Sequence, residues 1–196
     1  MEKKNNSKFF APRIISDILN SGGEGVLPTD TLYGIVGSAL AKKTVERIYK
    51  LRKRNLSKPM IVLISSIRDL QLFDVAISKD EKKLLQKFWP GKVSVILQCK
   101  NKKFTYLHRG QKTIAFRLPE NIYLKKLLKK IGPLVAPSAN LEGEKSSETI
   151  SEAKNYFAEK VDFYVDAGKL KSQPSTIVSL ENGQVTILRK GAQKIS

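Results

Sequence analysis

Apolar residues recur at helical spacing from Ile14 to Leu19, and Gly22-Gly23 ends that segment before a short buried strand, Gly25 to Leu27, stopped by Pro28. After the loop that begins at Pro28, Val45, Ile48 and Tyr49 mark one face of a helix from Lys42 to about Lys53, and Met60 to Ile64 follows as a strand of apolar and β-branched residues. The alternation continues. Asp80 to Phe88 reads as helix, Val93 to Leu97 and Thr113 to Leu118 as strands, Asn121 to Lys130 as a helix capped by Asn121, and Leu134 to Ala136 as a strand. The last third predicts a helix from about Ile150 to Glu159 and strands near Phe163 to Val165, Thr176 to Leu180 and Val185 to Leu188. Glu181-Asn182-Gly183 joins the last two as an antiparallel hairpin, because Asn-Gly tolerates the positive φ of a tight primed turn. Short strands interleaved with amphipathic helices predict an α/β (α+β) fold, an open twisted mixed sheet flanked by helices.

The chain has 196 residues, the size of one domain, with 41% hydrophobic and 28% charged residues, which excludes fibrous and disordered classes. Residues 1–11 are expected to form a flexible N-terminal tail and residues 12–196 a single domain, with no internal repeat or low-complexity block. Lysine and arginine number 36 against 18 acidic residues, a formal net charge of +18 that favours polyanionic partners or substrates. Nucleotides, nucleic acid and anionic membrane carry that chemistry. The polar stretch Met1 to Lys8 has no apolar region behind it, and the longest apolar run, Met60 to Ile64, is far too short to span a bilayer. Export and membrane insertion are therefore not expected, and a cytoplasmic protein is.

The single cysteine, Cys99, cannot form an internal disulfide or build a thiolate metal site alone, and it reads as a buried residue at a strand end. The lone histidine, His108, sits in the turn-like segment Leu107 to Gly110 with no second imidazole, so hydrolase triads are excluded.

Three segments concentrate polar chemistry where strands end. Pro28 to Gly34 carries Thr29, Asp30 and Thr31, either as ligand contacts or as a turn in which Thr29 and Asp30 satisfy local amides. Lys50, Arg52, Lys53, Arg54 and Lys58 form the densest basic stretch, and Arg52 lies four residues after Ile48, on the buried stripe of its helix. A guanidinium pointing inward requires an anion, either an acidic side chain or a substrate phosphate. Pro137 to Asn140 follows a strand directly, and with Gly143, Ser146 and Ser147 it can wrap phosphate or simply cap the next helix.

Pro28-Thr-Asp-Thr-Leu-Tyr-Gly34, Arg52-Lys-Arg54 with Lys58-Pro-Met-Ile-Val62, Trp89-Pro-Gly91, Ile114-Ala-Phe-Arg-Leu-Pro119, Ala136-Pro-Ser-Ala-Asn140, Pro174-Ser-Thr-Ile-Val178 and Leu188-Arg189 occur in the order seen in the YrdC-like family of threonylcarbamoyl-AMP synthases. The chain resembles that family over essentially residues 12 to 192. The resemblance implies an open α/β fold with a basic concave cleft. It also implies synthesis of L-threonylcarbamoyladenylate from L-threonine, bicarbonate and ATP, with release of pyrophosphate. The product would serve N6-threonylcarbamoyladenosine modification of tRNA through a downstream tRNA threonylcarbamoyl transferase machinery, and the charge adds direct tRNA or RNA contact to the expected partners.

By position, Arg54, Lys58, Thr113, Ser138, Asn140, Ser146 and Arg189 resemble the family's ATP contacts. Arg52, Arg54 and Lys58 would position the reacting groups, with no nucleophile or general base of the protein, and Mg²⁺ would enter with ATP without an assigned protein ligand. Thr31, Arg117, the backbone of Ala136, and Ser175 resemble threonine contacts. Leu63 stands where many longer relatives have a histidine near threonine and is expected to touch the substrate methyl; Arg52 replaces a usual lysine, and Asn55 a common proline. The chain resembles the short form of the family, which lacks an additional C-terminal domain. Two rival functions remain from the residues alone: a non-catalytic RNA-binding module, and carbamoyl adenylation from carbamoyl phosphate.

Overall fold

The computed structural model of the protein describes residues 12–181 and 183–195. The expected N-terminal tail falls on residues 1–11, and Asn182 of the expected hairpin falls between the described segments, so both lie outside them. Among the described residues, no helix is long and apolar enough to cross a membrane.

Helix α1 (Pro12–Asn20) leads into β1 (Glu24–Pro28), and β1 pairs antiparallel with β2 (Tyr33–Ser38) in the register Val26↔Ile35 and Leu27↔Gly34. The pattern reading places no strand at β2, because Gly34 and Gly37 interrupt the β-branched run that signals one. Gly37 has a packing reason: a Cβ there would collide with Thr44 and Ile48 of α2 (Lys42–Leu51), so the glycine lets that helix lie directly on the sheet. Helix α2 ends two residues earlier than expected. Its last turn closes through the Arg54 N–H to the Tyr49 carbonyl at 3.0 Å, around Lys53 at φ 48°, and this turn aims Arg52 and Arg54 in different directions.

The remaining elements follow the predicted order: β3 (Ile61–Leu63), α3 (Lys79–Phe88), β4 (Val93–Gln98), the short α4 (Thr105–His108), β5 (Thr113–Arg117), α5 (Ile122–Ile131), β6 (Leu134–Val135), α6 (Ile150–Phe157), β7 (Phe163–Tyr164), β8 (Thr176–Glu181) and β9 (Gln184–Arg189). The 3₁₀ turn Ile67–Phe73 and α4 are additions to the expected list. Ser78, Asn121 and Thr149 cap α3, α5 and α6 by accepting N–H bonds. The strands make one mixed sheet in the order β7-β1-β2-β6-β3-β5-β4-β8-β9, with β1/β7, β3/β5 and β4/β8 parallel and the other pairs antiparallel.

Strand alternation divides this sheet into two unlike faces. Val62, Phe116, Val95, Leu97, Val178 and Val135 point into the main core with residues of α2, α3, α4 and α6, where Phe73, Phe104 and Phe116 meet at centroid distances of 5.3 and 5.1 Å. On the other face α1 and α5 cover only the part around Leu27, Val36, Leu63 and Leu134. The continuation of that face over β3, β5, β4 and β8, carrying Ile61, Ala115, Ile96 and Ile177, remains open as a cleft.

Candidate active site

The open part of the sheet forms the floor of a cavity of about 410 Å³, walled by Arg52, Arg54, Ser138 and Arg189, with Thr113 at the start of β5. Its size is that of a small-ligand site. Arg54, Thr113, Ser138 and Arg189, expected as ATP contacts, and Arg52, expected to position the reacting groups, thus line one space. Lys58, Asn140 and Ser146 do not line it. Lys58 is turned to Glu142, Asn140 is buried behind the wall, and half-buried Ser146 lies farther along its loop, beside Ser147, whose buried hydroxyl donates to the Ala139 carbonyl.

The wall after β6 is held by backbone bonds that extend the sheet irregularly. Ile35 N–H donates to the Pro137 carbonyl at 3.0 Å, Ala139 N–H to the Tyr33 carbonyl at 2.8 Å, and Ala136 N–H to the Ile61 carbonyl at 2.9 Å. This segment presents Ser138 to the cavity and turns Asn140 toward Arg52.

Arg52 caps α2 and is 3% exposed. Its Nε donates to the Asn140 carbonyl at 3.0 Å and its Nη2 to Asn140 Oδ1 at 3.3 Å, whereas Nη1 is buried with no protein partner. Asn140 is fixed in turn, its Nδ2 donating to the Leu141 and Glu144 carbonyls. The inward guanidinium therefore meets neutral oxygens and not an acidic side chain. Its pKa is lowered to about 10, mainly by burial and also by repulsion from Arg54, with Glu142 and Tyr49 opposing the shift in part. Arg54 donates from Nε to the Lys58 carbonyl at 3.1 Å and from Nη2 to the Pro59 carbonyl at 2.8 Å, which ties the basic loop to the cavity rim.

A second polar cluster adjoins the first along one row of the sheet. Arg117 on β5 is 3% exposed; its Nη1 donates to Thr31 Oγ1 at 3.0 Å, Nη2 lies 3.2 Å from Asp30 Oδ1, and Nε has no partner. Burial lowers its pKa, Asp30 opposes the shift, and Arg189 adds to it. Across the cleft Arg189 donates from Nε and Nη2 to the Ser175 carbonyl at 3.2 and 2.8 Å, and Ser175 Oγ lies 2.9 Å from Ser94 Oγ. Thr31, Arg117 and Ser175 are thus gathered as expected, with buried Ala136 nearby on the same face. Leu63 is the register partner of Arg117 and neighbours this cluster on the sheet, but it is fully buried and packs with Leu27, Val36, Leu134, Leu128 and Ala136 under α1 and α5 instead of lining the cavity.

In the Pro28–Gly34 segment the turn reading holds at Thr29, whereas Asp30 and Thr31 meet protein groups across the sheet. Thr29 Oγ1 accepts from Thr31 and Leu32 N–H and donates to the Leu32 carbonyl, a local turn, while Thr31 and Asp30 turn to Arg117. Ser94 and Glu142 are not among the expected contacts, and Asp30 serves as the acid partner of Arg117. Ser94 carries a sequence signal, a lone hydroxyl inside the apolar run Val93 to Leu97.

The combination of a cationic cavity, a buried arginine lacking an acid partner and an adjoining hydroxyl-lined arginine cluster can be set beside known proteins. A family model described as telomere recombination, covering Sua5, YciO and YrdC, matches residues 17–191. The chain belongs to the Sua5/YciO/YrdC family. Among its Sua5/YciO/YrdC relatives, a putative threonylcarbamoyl-AMP synthase of Methanocaldococcus jannaschii is 33% identical over 176 residues, covering 89% of this chain and 82% of that protein. The threonylcarbamoyl-AMP synthase of Pseudoalteromonas translucida is 31% identical over 170 residues, covering 83% of this chain and 90% of that protein. A crystal structure of Pyrococcus abyssi Sua5 complexed with L-threonine superposes with a TM-score of 0.82 at 28% identity, over 92% of this chain and 54% of that one, so the chain spans about half of that relative's length. E. coli YciO superposes with a TM-score of 0.82 at 25% identity, over 94% of this chain and 92% of that one.

Proposed function

We propose that this chain is an L-threonylcarbamoyladenylate synthase that joins L-threonine, bicarbonate and ATP and releases pyrophosphate, for N6-threonylcarbamoyladenosine modification of tRNA. The observation that carries the reading is Arg52 Nη1, a buried guanidinium nitrogen without a protein partner in the wall of a cavity that Arg54 and Arg189 also line. A buried cation with no acid partner is costly, and an anionic ligand removes that cost.

In this reading the amino group of threonine adds to bicarbonate with loss of water, giving a carbamate. A carbamate oxygen then bonds to the α-phosphorus of ATP as the bond from that phosphorus to the bridging oxygen of pyrophosphate breaks. Neither step needs a nucleophile from the protein. Arg52, Arg54, Lys58 and Arg189 offset the mutual repulsion of the anions and the charge on departing pyrophosphate, Thr113 and Ser138 supply polar contacts, and Asn140 holds Arg52 in place from behind the wall. The unpartnered Nε of Arg117 is the donor for the threonine carboxylate, with Thr31, Ser175 and the Ala136 backbone orienting the rest.

Among the described residues, no three His, Cys, Asp or Glu side chains converge as a metal site. Magnesium enters in this reading as part of the substrate, MgATP, carried by the phosphates. The downstream partner in this reading is a tRNA threonylcarbamoyl transferase machinery, and the place of work is the cytoplasm. Pyrophosphate release measured with MgATP, omitting threonine and bicarbonate in turn, tests the proposal. Release should require both; release indifferent to both omissions, or none with all substrates present, overturns it.

A further inference from the structure

Lys58 stands out among the expected phosphate contacts because the structure engages it elsewhere. Its Nζ lies 2.9 Å from Glu142 Oε1, a bond that is also an ion pair, and it makes no other ion pair among the described residues. The other Glu142 oxygen accepts the Asn55 N–H, and the Glu142 N–H donates to the Arg52 carbonyl at 2.9 Å. One residue of the loop after β6 therefore grips the basic loop after α2 at three points.

The backbone of Lys58 is fixed independently of Glu142. Its carbonyl accepts from Tyr49 Oη at 2.9 Å and from Arg54 Nε at 3.1 Å, and Arg54 and Pro59 already line the cavity. Moving Lys58 Nζ toward the cavity therefore needs rotation of a flexible four-carbon stem and no rearrangement of the chain. Its side chain is 60% exposed, so the pair it leaves is a weak surface bridge that a polyphosphate can outcompete. Asn55, the other point of grip, is held through its backbone and would stay.

We propose that Glu142 is a positioning residue that anchors the basic loop through the Asn55 N–H while keeping the Lys58 ammonium out of the cavity until a triphosphate draws it in. This inference rests on the reading of the cavity as an ATP site. Glu142 is thus a competitor for Lys58 as well as an anchor. Neutralising Glu142 without removing its anchoring oxygen should strengthen ATP binding, and the gain should depend on Lys58. A merely structural Glu142 would show neither effect.

Calorimetric titration of the full chain with MgATP tests this on wild type, Glu142→Gln, Lys58→Met and the double variant, with a melting curve for each. Glutamine keeps a carbonyl for the Asn55 N–H, so E142Q should tighten ATP binding about two- to fivefold, the range of a surface ion pair. The same substitution should change nothing in the K58M background. Glu142→Ser also frees Lys58 but leaves the Asn55 N–H to water, so it should give a smaller gain of the same sign and serves if E142Q folds poorly. Unchanged or weaker binding in both Glu142 variants overturns the proposal, as does a gain that survives in K58M, which would mean general removal of negative charge. Failure of wild type to bind MgATP at all would overturn the ATP reading itself and this inference with it, and is distinct from a failure confined to the Glu142 variants.

Discussion

Arg52 and Arg109 both lie against α2 and both lose most of their contact with water, yet the fold answers that cost in opposite ways. Arg109 has an acid partner: its Nη1 lies 3.0 Å from Glu46 Oε1, and its guanidinium sits 3.8 Å from the centroid of the Tyr49 ring, although Nε and Nη2 make no hydrogen bond. Burial works against its charge, but the interactions with Glu46 and Tyr49 outweigh it, and its pKa is raised. Arg52 has only the neutral oxygens of Asn140 and Ser138 within reach, and burial dominates. A charge neutralised within the fold belongs to the architecture, whereas one left without an acid in a cavity wall belongs to a ligand. The same division separates the faces of the sheet, one dry and aromatic, the other carrying arginines and hydroxyls.

The strongest way to break that division is to damage one face and read the other. Phe116 is fully buried against Phe73, while its neighbours Ala115 and Arg117 alternate toward the open face. Phe116→Ala should lower stability by about 3–5 kcal/mol in urea unfolding, through lost burial and an unfilled cavity. The fraction still folded should bind MgATP with the wild-type dissociation constant. A matched loss of affinity would mean that the two faces are not separable.

The reverse experiment removes charge and keeps volume. Arg52→Met should weaken MgATP binding by on the order of 2 kcal/mol or more, roughly thirtyfold, through loss of a charge-assisted contact. Its melting temperature should hold or rise, because the substitution removes a buried cation that has no acid partner. Arg109→Met should do the opposite, costing about 1–3 kcal/mol of stability by leaving Glu46 and the face of Tyr49 without their cation, with ATP affinity kept. Calorimetry and melting curves on the two variants decide the comparison.

The sequence pattern made most of the strands legible, because each carries an apolar run or an alternation, and it identified the Asn121 helix cap that the structure retains. It missed β2 because that strand is built for close packing against α2, and the glycines that permit this erase the β-branched signal. The arginines of the cleft were legible as types and spacing, but their partners were not. That Arg52 meets an amide and Arg117 meets Asp30 depends on loops brought together across the sheet, and no local pattern encodes such a pairing. Leu63 shows the limit most clearly. It shares a row with Arg117 on the open face, and only the reach of α1 and α5 places it under the dry cover and not in the cleft.

A third test uses a charge that is buried in the wrong state. Glu24 is fully buried at the start of β1; Arg47 pairs with it, and Asp162 accepts the Glu24 N–H. Its pKa is raised from 4.5 to about 7, mainly by burial, with Arg47 pulling the other way and Asp162 adding to the rise. A folded-state pKa above the unfolded one means that the native chain holds the proton longer, so this contribution to stability is full below about pH 4.5 and is lost as pH rises through about 7. Urea midpoints at pH 5 and pH 8 should therefore differ in favour of pH 5, and Glu24→Gln should flatten that difference. A dependence that survives the substitution would assign it to another group.

The smallest expected effect refines the open face itself. Arg54 spans the consecutive carbonyls of Lys58 and Pro59 with two arms of its fork, at 3.1 and 2.8 Å, while lining the same cavity as Arg52. Arg54→Lys preserves the charge and removes the fork, since a single ammonium cannot hold both carbonyls in that geometry. The loss should be about that of one hydrogen bond, roughly 1 kcal/mol or fivefold in MgATP affinity, with little change in melting temperature because the site lies at the rim. Arg54→Ala, which removes charge and fork together, should cost distinctly more on the same titration. If lysine and alanine weaken binding equally, Arg54 acts by holding the loop and its charge does not meet phosphate; if lysine costs nothing, the charge alone matters and the loop keeps its place without the fork.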